Sequence, residues 1–148
     1  MIWQAICSCG KKTSTHICYG TMKSDDYIKI CLKKHILPLI RSHENRPVLF
    51  WPDLASIHYS GNSQDFMTKN YIDFVPKEWN PPNTPELRPI ERYWAIGKVK
   101  LRRSKEHVNT PKEIHRKWAN FSRSFGTTSV QRLMSGLTSK VIKFYKNN

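Results

Sequence analysis

At 148 residues the chain is long enough to bury a core of its own and too short for two domains of ordinary size. Apolar residues make up 39%, with five Trp, six Tyr and six Phe, which excludes a disordered polar chain. A net charge of +14, from 25 Lys and Arg against 11 Asp and Glu, points to a polyanionic partner, of which nucleic acid is the commonest inside cells.

That charge is uneven. From Gly97 onward there are 13 basic and two acidic residues, so the last third carries +11 and residues 1–96 carry +3. The apolar runs are short, and Met1-Ile-Trp-Gln-Ala-Ile lacks both the basic start and the cleavage site of a secretory leader. An intracellular protein without a membrane anchor is expected. In that setting Cys7, Cys9, Cys18 and Cys31 are expected as reduced thiols in strands or core, and their spacing does not match the paired ligands of a structural zinc site.

In chain order, residues 2–7 and 13–19 are β-prone and flank Cys9-Gly-Lys-Lys12, which predicts a hairpin. Ser24 with Asp25 and Asp26 reads as a helix N-cap and an acidic first turn. Ile28, Leu32 and Ile36 then carry the helix to about Arg41, perturbed at Pro38. After the polar stretch 41–46, Pro47-Val-Leu-Phe-Trp51 predicts a short buried strand ended by Pro52-Asp53. Residues 62–70 suit a short helix, and Tyr71-Ile-Asp-Phe-Val75 a second core strand. Pro76, Pro81, Pro82, Pro85 and Pro89 then impose an irregular loop.

Pro89 opens a helix running from Ile90 to Arg103, with Glu91 in its first turn and Ile90, Trp94 and Leu101 along one face. Thr110-Pro-Lys-Glu113 is a capping box, followed by Ile114, Trp118, Phe121 and Phe125 on one side. A final helix uses Val130, Leu133, Leu137 and Val141. The common face of Trp118, Phe121 and Phe125 favours core packing over stacking on unpaired bases. The order of elements is α/β with a helical, basic end.

Two carboxylates stand out on separate elements. Asp53 follows a core-type strand, where a rigid scaffold presents functional groups, and Glu91 begins a helix behind a stiff proline-rich approach, with 37 residues between them. Oxygen ligands of this kind suit Mg²⁺, and paired cations held by carboxylates serve phosphoryl transfer. On spacing alone, the favoured reading is that Asp53 is a turn residue and Glu91 a charge complementing the helix dipole.

Leu49-Phe-Trp-Pro-Asp53-Leu-Ala-Ser-Ile-His58-Tyr and Asn80-Pro-Pro-Asn-Thr-Pro-Glu-Leu-Arg88-Pro-Ile-Glu91-Arg-Tyr-Trp94 resemble, in order, the two signature blocks of Tc/mariner-superfamily DDE transposases. The stretch from Ile2 through the Tyr27–Ile40 helix is similar to the family's segment between its first and second catalytic aspartates, so the resemblance covers at least residues 1–103. It implies a ribonuclease-H-like catalytic core, here one partial domain over 1–148, with the core in 1–103 and a basic helical part in 104–148. In that family three carboxylates bind two Mg²⁺ or Mn²⁺ ions, cut DNA and join its 3′-hydroxyl to a target. Asp53 matches the second carboxylate and Glu91 the third.

The family's first aspartate ends a central strand that precedes the segment matching Trp3, and no residue of this sequence replaces it. Asp25 and Asp26 belong to a helix cap. The resemblance thus implies a catalytic-domain fragment, inactive alone and nuclear, acting on transposon ends and target DNA, with a second copy or a full-length transposase as partner. The alternative is a noncatalytic DNA-binding or transposase-interacting protein, suggested by the basic C-terminal third. His58 is a candidate for orienting Asp53, or for simple packing beside it. Arg88 and Arg92 beside Glu91, and Lys98, Lys100, Arg102 and Arg103 further along its helix, are candidate phosphate contacts, with a solvated basic face as the other reading.

Overall fold

A computed structural model describes residues 1–44, 46–103 and 110–147. Its elements in chain order are β1 (Ile2–Trp3), β2 (His16–Ile17), α1 (Ser24–Asp26), a π-helical stretch (Tyr27–Ile36), α2 (Leu37–Arg41), α3 (Gly61–Lys69), α4 (Pro89–Arg103), α5 (Pro111–Ser124), α6 (Thr127–Met134) and α7 (Leu137–Asn147). Position 45 of the polar stretch and positions 104–109 of the basic C-terminal part fall outside the described residues. Among the described residues, no helix is long and apolar enough to cross a membrane.

The chain forms two compact units, Met1 with His16–Asn83, and Ile2–Thr15 with Thr84–Asn148. In the first, α1, the π stretch and α2 follow one another without a break. The buried side chains are Tyr27, Cys31, Leu32 and Ile36, so the spacing is four or five residues and Ile28 is only half-buried. Leu32 and Ile36 take the core positions expected of them, while Ile28 does not and Tyr27 and Cys31 do. Pro38 supplies a physical reason for the wide winding, because an α-turn would press its ring against the carbonyl four residues back. The Leu37 amide instead reaches Leu32.

The two expected core strands of this unit shrink to a single parallel bridge between Phe50 and Phe74, made by Phe50 N–H to Asp73 O at 2.8 Å and Val75 N–H to Phe50 O at 3.0 Å. Leu49 is 63% exposed and Tyr71 93% exposed, so neither segment is buried throughout. Tyr71 has φ 53 and belongs to the turn after α3. Only Ile72 and Val75 of its segment enter the core, with Met67 and Tyr59. The Pro-rich loop is less irregular than expected, containing 3-10 turns at Lys77–Trp79 and Pro85–Leu87.

In the second unit the hairpin turn closes through an antiparallel bridge between Ile6 and Lys12, with Cys7 N–H on Lys11 O at 2.9 Å. Gly10 takes φ +92, and a Cβ there would meet the Thr127 carbonyl oxygen at 2.8 Å, so the turn requires glycine for both conformation and space. The Lys12 ammonium donates to the Phe125 carbonyl at the end of α5. Burial holds that amine below its usual value.

The helical core follows from aromatic periodicity. Tyr93 of α4 lies buried among Trp118, Phe121 and Phe125, and Trp94 stacks on Trp118 at 4.6 Å between ring centroids. The expected capping box of α5 is present, with Glu113 N–H on Thr110 Oγ1 at 3.3 Å and Thr110 N–H on Glu113 Oε2 at 3.0 Å. Trp118 and Phe121 are core residues, whereas Ile114 is 38% exposed. The single expected final helix is two, α6 and α7, separated at Ser135-Gly136, where Gly136 has φ +74.

At Gly97, α4 packs closely against α5. A Cβ there would contact Trp118 Cη2, lie 2.6 Å from Cζ3 of the same ring and lie 2.7 Å from Phe121 Cε1. On an exposed helix Gly→Ala gains about 1 kcal/mol, but overpacking of this kind costs about 1–3 kcal/mol. Gly97→Ala is therefore expected to lower the urea midpoint measured by tryptophan fluorescence. An increase would contradict the close approach.

Candidate functional site

Asp53 follows Pro52, three residues after Phe50 of the parallel Phe50–Phe74 bridge. Its side chain is 61% exposed, yet it is held. Oδ1 accepts the Ala55 N–H at 2.8 Å and lies 2.8 Å from His58 Nδ1. The same nitrogen is 3.1 Å from the Asp53 carbonyl. Both neighbours of Nδ1 are acceptors, so Nδ1 carries the hydrogen.

The five-residue spacing works because the chain turns through a 3-10 segment, Ser56–Tyr59, which brings His58 back over Asp53. His58 is buried, with the Tyr27 ring 4.6 Å away at 38°. Tyr27 is itself fully buried, and its hydroxyl has no hydrogen-bond partner among the described residues. Burial first, then the neighbouring Cys31, Asp53 and Tyr59, push the Tyr27 phenol well above its usual range. Burial, with Cys18 nearby, also raises the Cys31 thiol, to about 12, so it stays protonated at neutral pH.

An unsatisfied buried hydroxyl costs about 1–3 kcal/mol. Tyr27→Phe keeps the ring against His58 and removes that liability, so it is expected to raise stability by about 1 kcal/mol, read as a higher thermal midpoint. Destabilisation would mean that the hydroxyl has a partner in solution.

A second arrangement fixes the backbone leading into Asp53. Asn80, 3% exposed, accepts from Trp51 Nε1 at 2.8 Å and donates through Nδ2 to Pro52 O at 2.9 Å and to Tyr59 Oη at 2.7 Å. Tyr59 Oη in turn donates to Val75 O at 3.1 Å. The sequence offered Asn80 as the first residue of the second signature block, within a proline-rich loop, and gave it no role of its own.

Glu91 belongs to the other unit, exposed in the first turn of α4, with its amide on Arg88 O at 2.9 Å. The α-helical period separates the basic candidates. Lys98 and Arg102, seven and eleven residues on, share the face of Glu91 and lie about 10 and 16 Å further along the axis. Arg92 and Arg103 share a different face. Lys100 lies toward α5, where its ammonium donates to Ser124 Oγ at 3.2 Å. Arg88 precedes the helix and is half-buried.

Charge divides sharply between the units. The one carrying Asp53 has eight Lys and Arg against seven Asp and Glu, net +1, and the one carrying Glu91 has 17 against four, net +13. The basic bias read from the last third therefore belongs to a whole unit, hairpin included. What the first unit offers chemically is one exposed, oriented carboxylate, and the second a polyanion-attracting surface with a carboxylate at a helix start.

No family model matches the chain. Over 96 residues it is 29% identical to the transposable element Tc3 transposase of Caenorhabditis elegans, a match that spans 65% of this chain and 28% of that protein. That similarity supports a transposase-related protein.

Proposed function

We propose that this chain is part of a Tc/mariner-type DDE transposase catalytic domain with a ribonuclease-H-like fold, in which Asp53 and Glu91 are two of the carboxylates that hold Mg²⁺ or Mn²⁺. The observation that carries the reading is the Asp53 carboxylate, exposed three residues after Phe50 of the parallel bridge and oriented by the buried His58. An exposed, hydrogen-bonded carboxylate fits a hard divalent cation, which takes oxygen donors from few protein groups together with substrate phosphates. A bound cation would polarise a DNA phosphate and activate the attacking oxygen. The residues of the chain hold and orient it, His58 by keeping Asp53 in one rotamer. The similarity to the Tc3 transposase supports this ancestry.

In this reading the substrates are transposon ends and target DNA in the nucleus, with a second copy or a full-length transposase as partner. In this reading the chain binds DNA and supplies two of the three carboxylates, Asp53 and Glu91. The net charge of +13 on the unit carrying Glu91 also favours a purely DNA-binding role. Mn²⁺ titration and a plasmid-nicking assay on the purified chain, with Asp53→Ala and Glu91→Ala alongside, separate the two. The expected result is Mn²⁺ binding that falls at least tenfold in either variant, without nicking. Binding indifferent to both substitutions leaves the DNA-binding role, and Asp53-dependent nicking overturns the inactive assignment.

A further inference from the structure

We propose that Asn80 is the positioning residue of the Asp53 site, an inference that rests on the reading of Asp53 as a metal ligand. The carbonyl that Asn80 holds is that of Pro52, the peptide group leading directly into Asp53. The next carbonyl, that of Asp53, is held by His58 Nδ1, and the carboxylate by His58 and the Ala55 amide. Asp53 is therefore clamped on both sides of its Cα, by an amide from the proline-rich loop and an imidazole from the 3-10 turn. An exposed side chain otherwise keeps several rotamers, and ordering it for a ligand costs free energy at the moment of binding. Here that ordering is built into the free chain.

The chemistry of the clamp requires asparagine. One planar amide must accept from the Trp51 indole and donate to both Pro52 O and Tyr59 Oη, and Tyr59 relays the load to Val75, beside the Phe50–Phe74 bridge. Aspartate of the same shape keeps the acceptor for Trp51 but has no hydrogen to give Pro52. Alanine keeps none of the three. The side chain is buried and holds the carbonyl just ahead of Asp53, so it acts through Asp53.

The test uses the intact chain with Mn²⁺ as probe, read by electron paramagnetic resonance at low temperature, with circular dichroism as the check on folding. Wild type is expected to bind, Asp53→Asn to lose binding, and Asn80→Asp and Asn80→Ala to bind about ten- to hundredfold more weakly. The aspartate variant carries the decisive sign. If Asn80 were only structural, a new negative charge near the site would leave Mn²⁺ affinity unchanged or raise it, whereas loss of the clamp lowers it. Unchanged or tighter binding in a folded Asn80→Asp chain overturns the proposal while leaving Asp53 as ligand. Absence of any Asp53-dependent binding in wild type overturns both.

A variant-free measurement stands beside these. Mg²⁺ added to the ¹⁵N-labelled wild-type chain is expected to shift the Asn80 side-chain amide and Trp51 indole resonances along with the Asp53 amide, and the shifts should vanish in Asp53→Asn. Asn80 resonances that stay in place while Asp53 responds would overturn the positioning role even if every Asn80 variant fails to fold.

Discussion

Gln4→Leu is expected to destabilise the helical unit by at least about 3 kcal/mol, a large share of the roughly 5–15 kcal/mol that holds a domain of this size together. Gln4 is a buried amide whose four hydrogen bonds join three parts of that unit. Its Nε2 donates to Thr13 O at 2.7 Å and Ser122 Oγ at 2.8 Å, and its Oε1 accepts from Tyr93 Oη at 3.1 Å and Trp118 Nε1 at 3.2 Å. Leucine matches the volume but strands the Thr13 carbonyl and the indole N–H in an apolar setting. Each unsatisfied buried group costs about 1–3 kcal/mol, far more than a typical bond contributes. The Trp and Tyr near-ultraviolet dichroism reports the loss, and a change below about 1 kcal/mol would mean that solvent reaches those groups.

The second large effect is electrostatic. Association of the chain with duplex DNA is expected to weaken by about 10³–10⁵ between roughly 50 and 200 mM salt, the behaviour of a protein making about 6–10 phosphate contacts. The charge of +13 on one unit is what makes so steep a dependence reasonable. Lys98→Ala and Arg102→Ala, on the face of Glu91, are each expected to reduce the salt slope by about one. Lys100→Ala should change it less, since that ammonium is directed to Ser124. Fluorescence anisotropy across a salt series decides this. A flat slope, or Lys100 outweighing the other two, would remove the proposed DNA face.

Much of the helical unit was legible because its signals are local. The Thr110/Glu113 capping box and the Trp118-Phe121 period each lie within a few turns of chain, and both are realised. The break between α6 and α7 was not, since Val130, Leu133, Leu137 and Val141 keep helical spacing straight across it. Gly136 alone carried the warning. Strand content was overread for a related reason. The apolarity of Pro47–Trp51 is real, but pairing depends on a partner that sequence does not specify, and here one bridge forms.

At the candidate site, Asp53 and His58 were readable from their block, while the groups that hold them were not. Gln4 and Asn80 are amides, a residue type usually found at the surface, and composition rules place them there. Their burial is decided by partners remote in sequence, Ser122 at a separation of 118 residues for Gln4 and Trp51 at 29 for Asn80. Tyr27 escaped notice differently. The assumed α-winding put Ile28 on the core face, and the π-winding puts Tyr27 there instead.

That winding also constrains how the first unit can change over generations. An α-helix admits exchanges along its face because every third or fourth residue recurs in the same place, but the ten residues from Tyr27 to Ile36 keep a different count. Dropping residues there would change that count and rotate everything on one side of the deletion by about a quarter of a turn for each residue removed. Tyr27 would leave His58, or Leu37 and Pro38 would leave their seats. Length in this segment is therefore as tightly specified as the identity of any side chain it carries.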